Sequence, residues 1–398
     1  MNQRIPGRRT AAVLGTTVTL VSTLLLAPSP SLADGSNGDG GSGEPSGPPW
    51  AVVATGLDNP RLLSFSTRTR HHGRHHGSGG KHRASLYVAE AGRGGTGPCV
   101  EGPEGPACFG LSGAVTRIDK GDQERVVSGL PSLAGEGGAG ASGPADVSVR
   151  GSWYAVTVGL ANDPAVREDI AGGEALGTLM AGPLGGRAPR VIADLAGYET
   201  AEDPDGAGPD SNPTGLARSG GGFVLTDAGG NTLQRVTRRR DIKTMAVFPE
   251  RMVPAPPFLP PGDIPMQAVP TSVVRGPDGA WYVSQLTGFP FPAGGASIYR
   301  VVPGQAPTVY ASGLTNVTDL AWSGHRLYAV QIAGDAGLLA AEGLPMGSLV
   351  KVGRDGSHTT VADDLPAPYG VAMHRGKAYV TTCSVCAGEG QVVSIPLR

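Results

Sequence analysis

Short apolar runs with alternating apolar and small residues recur from residue 50 to the C-terminus, each bounded by Gly, Pro or Asn, and this alternation predicts β-strands. They fall into a repeating unit of four. First strands read NPRLLSF (59–65), GPADVSV (143–149), NPTGLAR (212–218), VPTSVVR (269–275), NVTDLAW (316–322) and APYGVAM (367–373). Second strands follow as LYVAE (86–90), WYAVTV (153–158), FVLTD (223–227), WYVSQ (281–285), LYAVQ (327–331) and AYVTT (378–382). Third strands are GAVTRID (113–119), GTLMAG (177–182), NTLQRVT (231–237), ASIYRVV (296–302), GSLVKVG (347–353) and GQVVSIP (390–396).

Fourth strands number only five: ERVVSGL, PRVIADL, KTMAVFP, PTVYASGL and TTVADDL. The chain ends before a sixth. Trp50 to Leu57 reads WAVVATGL, close to PTVYASGL, and stands immediately before the first unit, so it supplies the missing strand. A four-stranded unit repeated six times is the mark of a propeller. The expected fold is an all-β six-bladed β-propeller in which the N-terminal strand closes the last blade against Gln391 to Ile395 and leaves no free sheet edge. Repeat spacing shrinks from about 84 residues to about 50, and the surplus lies at 67–84, 91–112, 159–176, 196–211 and 249–268. These are read as loops, where binding function is usually built.

Composition agrees with many strands joined by turns: of 398 residues, Gly is 64 and Pro 35, against a hydrophobic fraction of 39%. A net charge of -2 gives no pull toward nucleic acid. Arg4, Arg8 and Arg9 followed by the apolar run Ala11 to Ala27 and by Ser31-Leu32-Ala33 predict a signal peptide over 1–33, cleaved after Ala33. A retained anchor would want a longer and more apolar stretch. Paired arginines raise twin-arginine export, but Thr10-Ala11-Ala12 favours the general secretory route. Residues 34–49 form a Gly/Ser/Pro linker and 50–398 the propeller, expected to be an extracellular monomer with no membrane span after cleavage and with a small molecule or an extracellular protein as partner.

Four cysteines in an exported chain are expected to be oxidised. Two local disulfides, Cys99 with Cys108 and Cys383 with Cys386, are the simplest of three pairings. A four-cysteine zinc site and a redox-active Cys383-x-x-Cys386 are the alternatives, and neither has its usual flanking residues.

The stretches GPCVEGPEGPACFGLSGAVTRIDKG, DSNPTGLARSGGGFVLTDAGGNTLQRV and PTSVVRGPDGAWYVSQLTGFPFPAGGASIYRV together resemble the ScyD/ScyE family of exported proteins over nearly all of the expected mature chain. That resemblance implies the fold and export, and no activity. The NPxGLA and LYVAE-like runs also resemble, more distantly, NHL-type and gluconolactonase-type six-bladed propellers.

Equivalent positions in the repeat point to candidate sites. The second strands end in Glu90, Asp227, Gln285, Gln331 and Thr382, with Val158 the apolar exception. This ring either lines a ligand site or bonds the backbone of its own turns. Asp146 and Asp319 share a register in opposite blades, where facing carboxylates would hold Ca²⁺. Asp203, Asp205 and Asp210 in DPDGAGPD resemble a calcium loop, without the closing Glu of an EF-hand, and read equally as a solvated acidic loop. The tract 67–83 holds five of the eight His and reads as a surface insertion or a transition-metal tract. Phe289 and Phe291 either line an apolar pocket or plug the ring. No phosphate loop, GxSxG elbow or HExxH occurs. Two function classes follow: a non-catalytic binding or scaffolding propeller, and by analogy of fold a metal-dependent lactonase or hydrolase, or a quinone-dependent sugar dehydrogenase.

Overall fold

The recurrent x-Gly-Leu of the fourth strands marks a bulge. In the computed structural model Gly56, Gly129 and Gly313 have φ of 70°, 76° and 83°, with Asp364 at 51° in the equivalent place. The strand register shifts there, between Ala54 and Leu57, between Val127 and Leu130, between Ser312 and Leu314, and between Ala362 and Leu365. A positive φ is cheap for Gly, and the bulge turns the following leucine inward. Leu57, Leu130, Leu314 and Leu365 are all buried.

Residues 49–66, 84–102, 105–334 and 336–397 are described. The expected signal peptide, nearly all of the linker and the histidine tract lie outside them. Six antiparallel sheets form the blades. Blade 1 comprises Pro60–Phe65, Leu86–Glu90, Gly105–Asp119 and Asp122–Ala134; blade 2, Pro144–Arg150, Trp153–Val158, Thr178–Pro183 and Arg190–Asp194. Blade 3 is Pro213–Ser219, Gly222–Asp227, Thr232–Val236 and Ile242–Val247, and blade 4 is Pro270–Arg275, Trp281–Gln285, Ala296–Val301 and Thr308–Leu314. Blade 5 is Val317–Ser323, Arg326–Gln331, Met346–Lys351 and Thr359–Pro366. Blade 6 takes Val371–His374, Lys377–Thr382 and Gly390–Pro396 from the C-terminal end and Ala51–Leu57 from the other. In that seam Ala51 faces Ser394, Val52 faces Val393 and Leu57 faces Gly390. The chain is a six-bladed β-propeller closed by the expected strand.

First strands touch first strands around the ring, blade 6 against blade 1 included. Hydroxyl groups tie neighbouring blades: Thr214 Oγ1 donates to Pro270 O at 3.2 Å, Thr271 to Val317 O at 2.9 Å, Thr318 to Tyr369 O at 2.6 Å and Thr381 to Arg61 O at 2.9 Å. Apolar side chains fill the wedges between sheets, as where Tyr87, Val115 and Leu130 of blade 1 meet Val147, Tyr154 and Val156 of blade 2.

Three stretches read as loops carry strands or an α-helix. In 91–112, Cys99–Gly102 pairs with the start of a fifteen-residue strand, Gly105–Asp119, that runs well past the blade. Residues Leu195–Glu202 form a helix, capped by Asp194 accepting the Gly197 amide. Arg251–Pro254 and Asp263–Met266 form a separate hairpin. Both expected disulfides are present, Cys99 to Cys108 and Cys383 to Cys386. Among the described residues no helix is long and apolar enough to cross a membrane.

Candidate functional site

Because the strands alternate in direction, one end of the ring carries every connection from second to third strand and from blade to blade. The other end carries the remaining turns. Among the described residues, nearly all the extra chain emerges at the first end: 159–177, 195–212, 248–269, 286–295, 332–345 and 383–389. At the second end the described turns are short, such as 151–152, 220–221, 324–325 and 375–376.

The ring of second-strand ends lies at the loop-bearing end, and most of its polar atoms are engaged. Glu90, fully buried, accepts the Asp58 amide at 2.7 Å and Arg125 Nη2 at 2.6 Å, and also bonds Thr116 Oγ1. Arg125 and Arg93 both reach Asp58, at 2.8 and 2.5 Å. Asp227 accepts the Asn212 amide at 2.6 Å, Ser211 Oγ at 2.7 Å and the Gly230 amide at 3.3 Å. Burial lifts its carboxyl to about 6, against the opposing pull of those three donors. Gln331 accepts the Thr315 amide at 2.7 Å and donates to Ser348 Oγ at 3.1 Å. Gln285 accepts the Ser297 amide at 3.0 Å while its buried Nε2 has no partner, and Thr382 is buried. Glu90, Asp227 and Gln331 each hold the chain entering their own blade's first strand.

A cavity of about 320 Å³ lies inside the ring, with Asp146 and Asp319 among its lining residues. Asp146 accepts the Val147 amide at 2.6 Å and the Leu216 amide of blade 3 at 2.7 Å. Asp319 accepts the Leu320 amide at 2.7 Å, Ser272 Oγ of blade 4 at 2.5 Å and the Val371 amide of blade 6 at 2.7 Å. Burial drives both carboxyls up, Asp319 to about 7, and the charge of Asp319 raises Asp146 further. The two acids therefore sew blade 2 to blade 3 and blade 5 to blade 6. Gly215 and Gly370 follow at the matching position, where a Cβ would lie 2.6 Å from Ser272 Cα and 2.7 Å from Arg61 O. Their missing side chains let the inner strands approach.

The acidic loop gathers a residue that the sequence pattern did not single out. Glu199, on the 195–202 helix, has a carboxylate oxygen within 4.8 Å of oxygens of Asp203 and Asp205. Its signal was ETAED, which puts Glu199 one helical turn before Asp203. Burial raises Glu199 to about 8, helped by the charges of Asp227, Asp205, Asp203 and Asp210. Asp210 stands beside Gly229, with its Oδ1 buried and unpartnered. Glu389 lies near Cys383 and Cys386, but that pair is disulfide-bonded and offers no thiolate.

Phe289 and Phe291 also sit at the loop-bearing end. Phe289 is 39% exposed and Phe291 half-buried, 6.3 Å apart between ring centroids. Phe258, from the blade 3–4 hairpin, is 61% exposed and comes within 6.4 Å of Phe289. Three aromatic rings from two separate connections thus adjoin at the surface. A further open cleft of about 560 Å³ lies between blades 4 and 5, lined in part by Tyr282, Tyr310 and Trp322, with Arg300 paired to Asp278.

No protein-family model matches the chain, and no curated relative does. Similar solved structures include an oxidoreductase assigned as a glucose dehydrogenase from Thermus thermophilus, at 15% identity and a TM-score of 0.48, covering 87% of this chain and 98% of that one. A structure assigned to a gluconolactonase matches at 9% identity and a TM-score of 0.46, covering 89% and 95%. Virginiamycin B lyase from Staphylococcus aureus matches at 10% identity and a TM-score of 0.40, covering 88% of each chain. The fold assignment rests on this chain's own strand pairing, and those proteins' activities do not transfer at such distance.

Proposed function

We propose that the chain is an exported binding propeller of the ScyD/ScyE type, which engages an apolar or aromatic ligand with its loop-bearing end. The observation that carries this reading is the surface group of Phe258, Phe289 and Phe291, built from two connections at the end that holds the long loops. Exposed aromatic clusters on a rigid frame are what binding surfaces are made of. Glu90, Asp227 and Gln331 contribute by holding the frame, since their polar atoms already serve the backbone. Two disulfides fit an oxidising compartment.

The test uses 8-anilinonaphthalene-1-sulfonate as probe. The folded wild-type chain should enhance its fluorescence saturably, and a Phe258→Ser, Phe289→Ser double variant with an unchanged melt should lose most of that signal. Equal enhancement by both proteins would remove the aromatic group from the binding surface.

A second reading, hydrolysis within the ring, is favoured by the raised carboxyls of Asp146 and Asp319 beside the 320 Å³ cavity. It requires turnover of a lactone or glycoside that Asp319→Asn abolishes.

A further inference from the structure

Glu199 is fully buried, yet neither of its carboxylate oxygens has a hydrogen-bond partner. The ionisable groups around it are Asp203, Asp205, Asp210 and Asp227, all of its own sign. No ion pair among the described residues reaches it. A carboxylate stripped of water and given no donor or cation is strongly unfavourable, and four acids beside it make it more so. A bound cation would remove both penalties.

The geometry suits one. Oxygens of Glu199, Asp203 and Asp205 all lie within 4.8 Å of one another, and two oxygens on one Ca²⁺ at its usual bond lengths lie at most about 5 Å apart. The ligands are held in place by their surroundings. Asp203 Oδ1 accepts the Gly208 amide at 3.2 Å, Asp205 Oδ1 accepts the Ala207 amide at 2.9 Å, and Asp205 Oδ2 accepts Asn231 Nδ2 at 2.9 Å. Both oxygens of Glu199 remain without a hydrogen bond. The turn after blade 3's second strand closes over them so tightly that a Cβ on Gly230 would lie 2.4 Å from Glu199 Oε2.

We propose that Glu199, Asp203 and Asp205 form a calcium site that pins the blade 2–3 connection onto the 228–231 turn of blade 3. All the side-chain donors are carboxylate oxygens, which excludes the soft and borderline metals as preferred occupants. Ligands on an irregular turn suit the variable coordination of Ca²⁺ better than the strict octahedron of Mg²⁺. An affinity of roughly 10⁻⁴ to 10⁻³ M matches extracellular calcium modules. The proposal stands independently of the aromatic surface.

The experiment pairs Tb³⁺ luminescence, excited through the adjacent Tyr198, with thermal melts of the purified chain in millimolar Ca²⁺, in millimolar Mg²⁺ and in EDTA. Wild type should sensitise Tb³⁺, release it to Ca²⁺ and melt about 2 °C or more higher in Ca²⁺ than in EDTA. Glu199→Gln and Asp203→Asn should lose both responses. In EDTA Glu199→Gln should melt at or above wild type, because it removes a buried acid that is costly to ionise, and this shows that the variant folds. Asp278→Asn, at the opposite end of the ring, should keep the wild-type response. Coincident wild-type melts in Ca²⁺ and EDTA, a full Ca²⁺ response in Glu199→Gln, or an equal shift with Mg²⁺ would each overturn the assignment.

Discussion

Asn231 donates to the Asp205 carboxylate at 2.9 Å and, through its Oδ1, accepts the Val269 amide at 3.0 Å. One side chain thus holds the acidic loop ahead of blade 3 against the start of blade 4. Its backbone sits at φ 49°, a conformation that Asn tolerates better than most residues. Asn231→Ala should lose both bonds and add strain, lowering stability by about 2 kcal/mol in a denaturant titration. It should also weaken Ca²⁺ binding, since Asp205 loses its support.

Arg125 is the shared cation of two buried acids, Asp58 and Glu90. Removing it leaves both carboxylates inside the protein with less compensation. Arg125→Met should destabilise by about 3 kcal/mol, although the arginine itself is partly exposed. Chemical denaturation should show the loss as a lower midpoint at unchanged slope. A midpoint within error of wild type would contradict the role given to this network.

The pH dependence has a definite sign. Asp227, Asp319 and Glu199 are raised to about 6, 7 and 8 in the folded chain, against roughly 4 when unfolded. Across that window the folded state holds protons that the unfolded state has released. The stability these groups contribute is therefore complete below about pH 4 and is lost as pH rises through the folded values, at up to about 1.4 kcal/mol per unit per group. In EDTA, melts should fall from pH 5 to 8, and Asp319→Asn should flatten the curve between about pH 5 and 7. A variant curve parallel to wild type would show that Asp319 ionises normally.

Close approach of the inner strands requires glycine. In Gly370→Ala the new Cβ would meet Arg61 O at 2.7 Å and Leu62 Cα at 2.8 Å, all at the junction of blade 6 with blade 1. Overpacking against backbone should cost about 1–3 kcal/mol. Gly56→Ala offers a contrast, since nothing lies within 4 Å and only its φ of 70° opposes the change. It should cost about 1 kcal/mol, so the two melts separate steric crowding from backbone strain.

The seam itself is testable by truncation. Leu57 and Ala54 are buried between the first and last blades. Leu57→Ala should cost about 2–5 kcal/mol, and a chain beginning at Asn59 should lose the cooperative melt altogether.

The blade count and the seam were legible because both follow from local chemistry. Leucine after a positive-φ residue recurs at Leu57, Leu130, Leu314 and Leu365, and the bulge demands that spacing wherever it occurs. The extension of blade 1 was hidden by its Gly and Pro content, which reads as loop until Cys99 is seen facing Cys108. Asp146 and Asp319 were legible as a pair in register. Their destinations were not, because the Leu216 and Val371 amides that they accept belong to the next blade, some fifty to seventy residues further along the chain. Glu199 gave the weakest signal of all. Its setting depends on a Gly-Gly turn some thirty residues later folding back over the helix.

The seam also fixes an order of assembly. Among the described strands, Ala51–Leu57 is made before any blade is complete, and its partner Gly390–Pro396 is made after all the others. The earliest-made of the described strands is thus among the last to find its neighbour, and the ring cannot close until Gly390–Pro396 has been made. Closure brings Leu57 O to the Gly388 amide at 3.1 Å and the Asn59 amide to Cys386 O at 2.9 Å, beside the Cys383–Cys386 bridge. Completion of the ring and oxidation of the Cys383–Cys386 turn therefore converge on one junction.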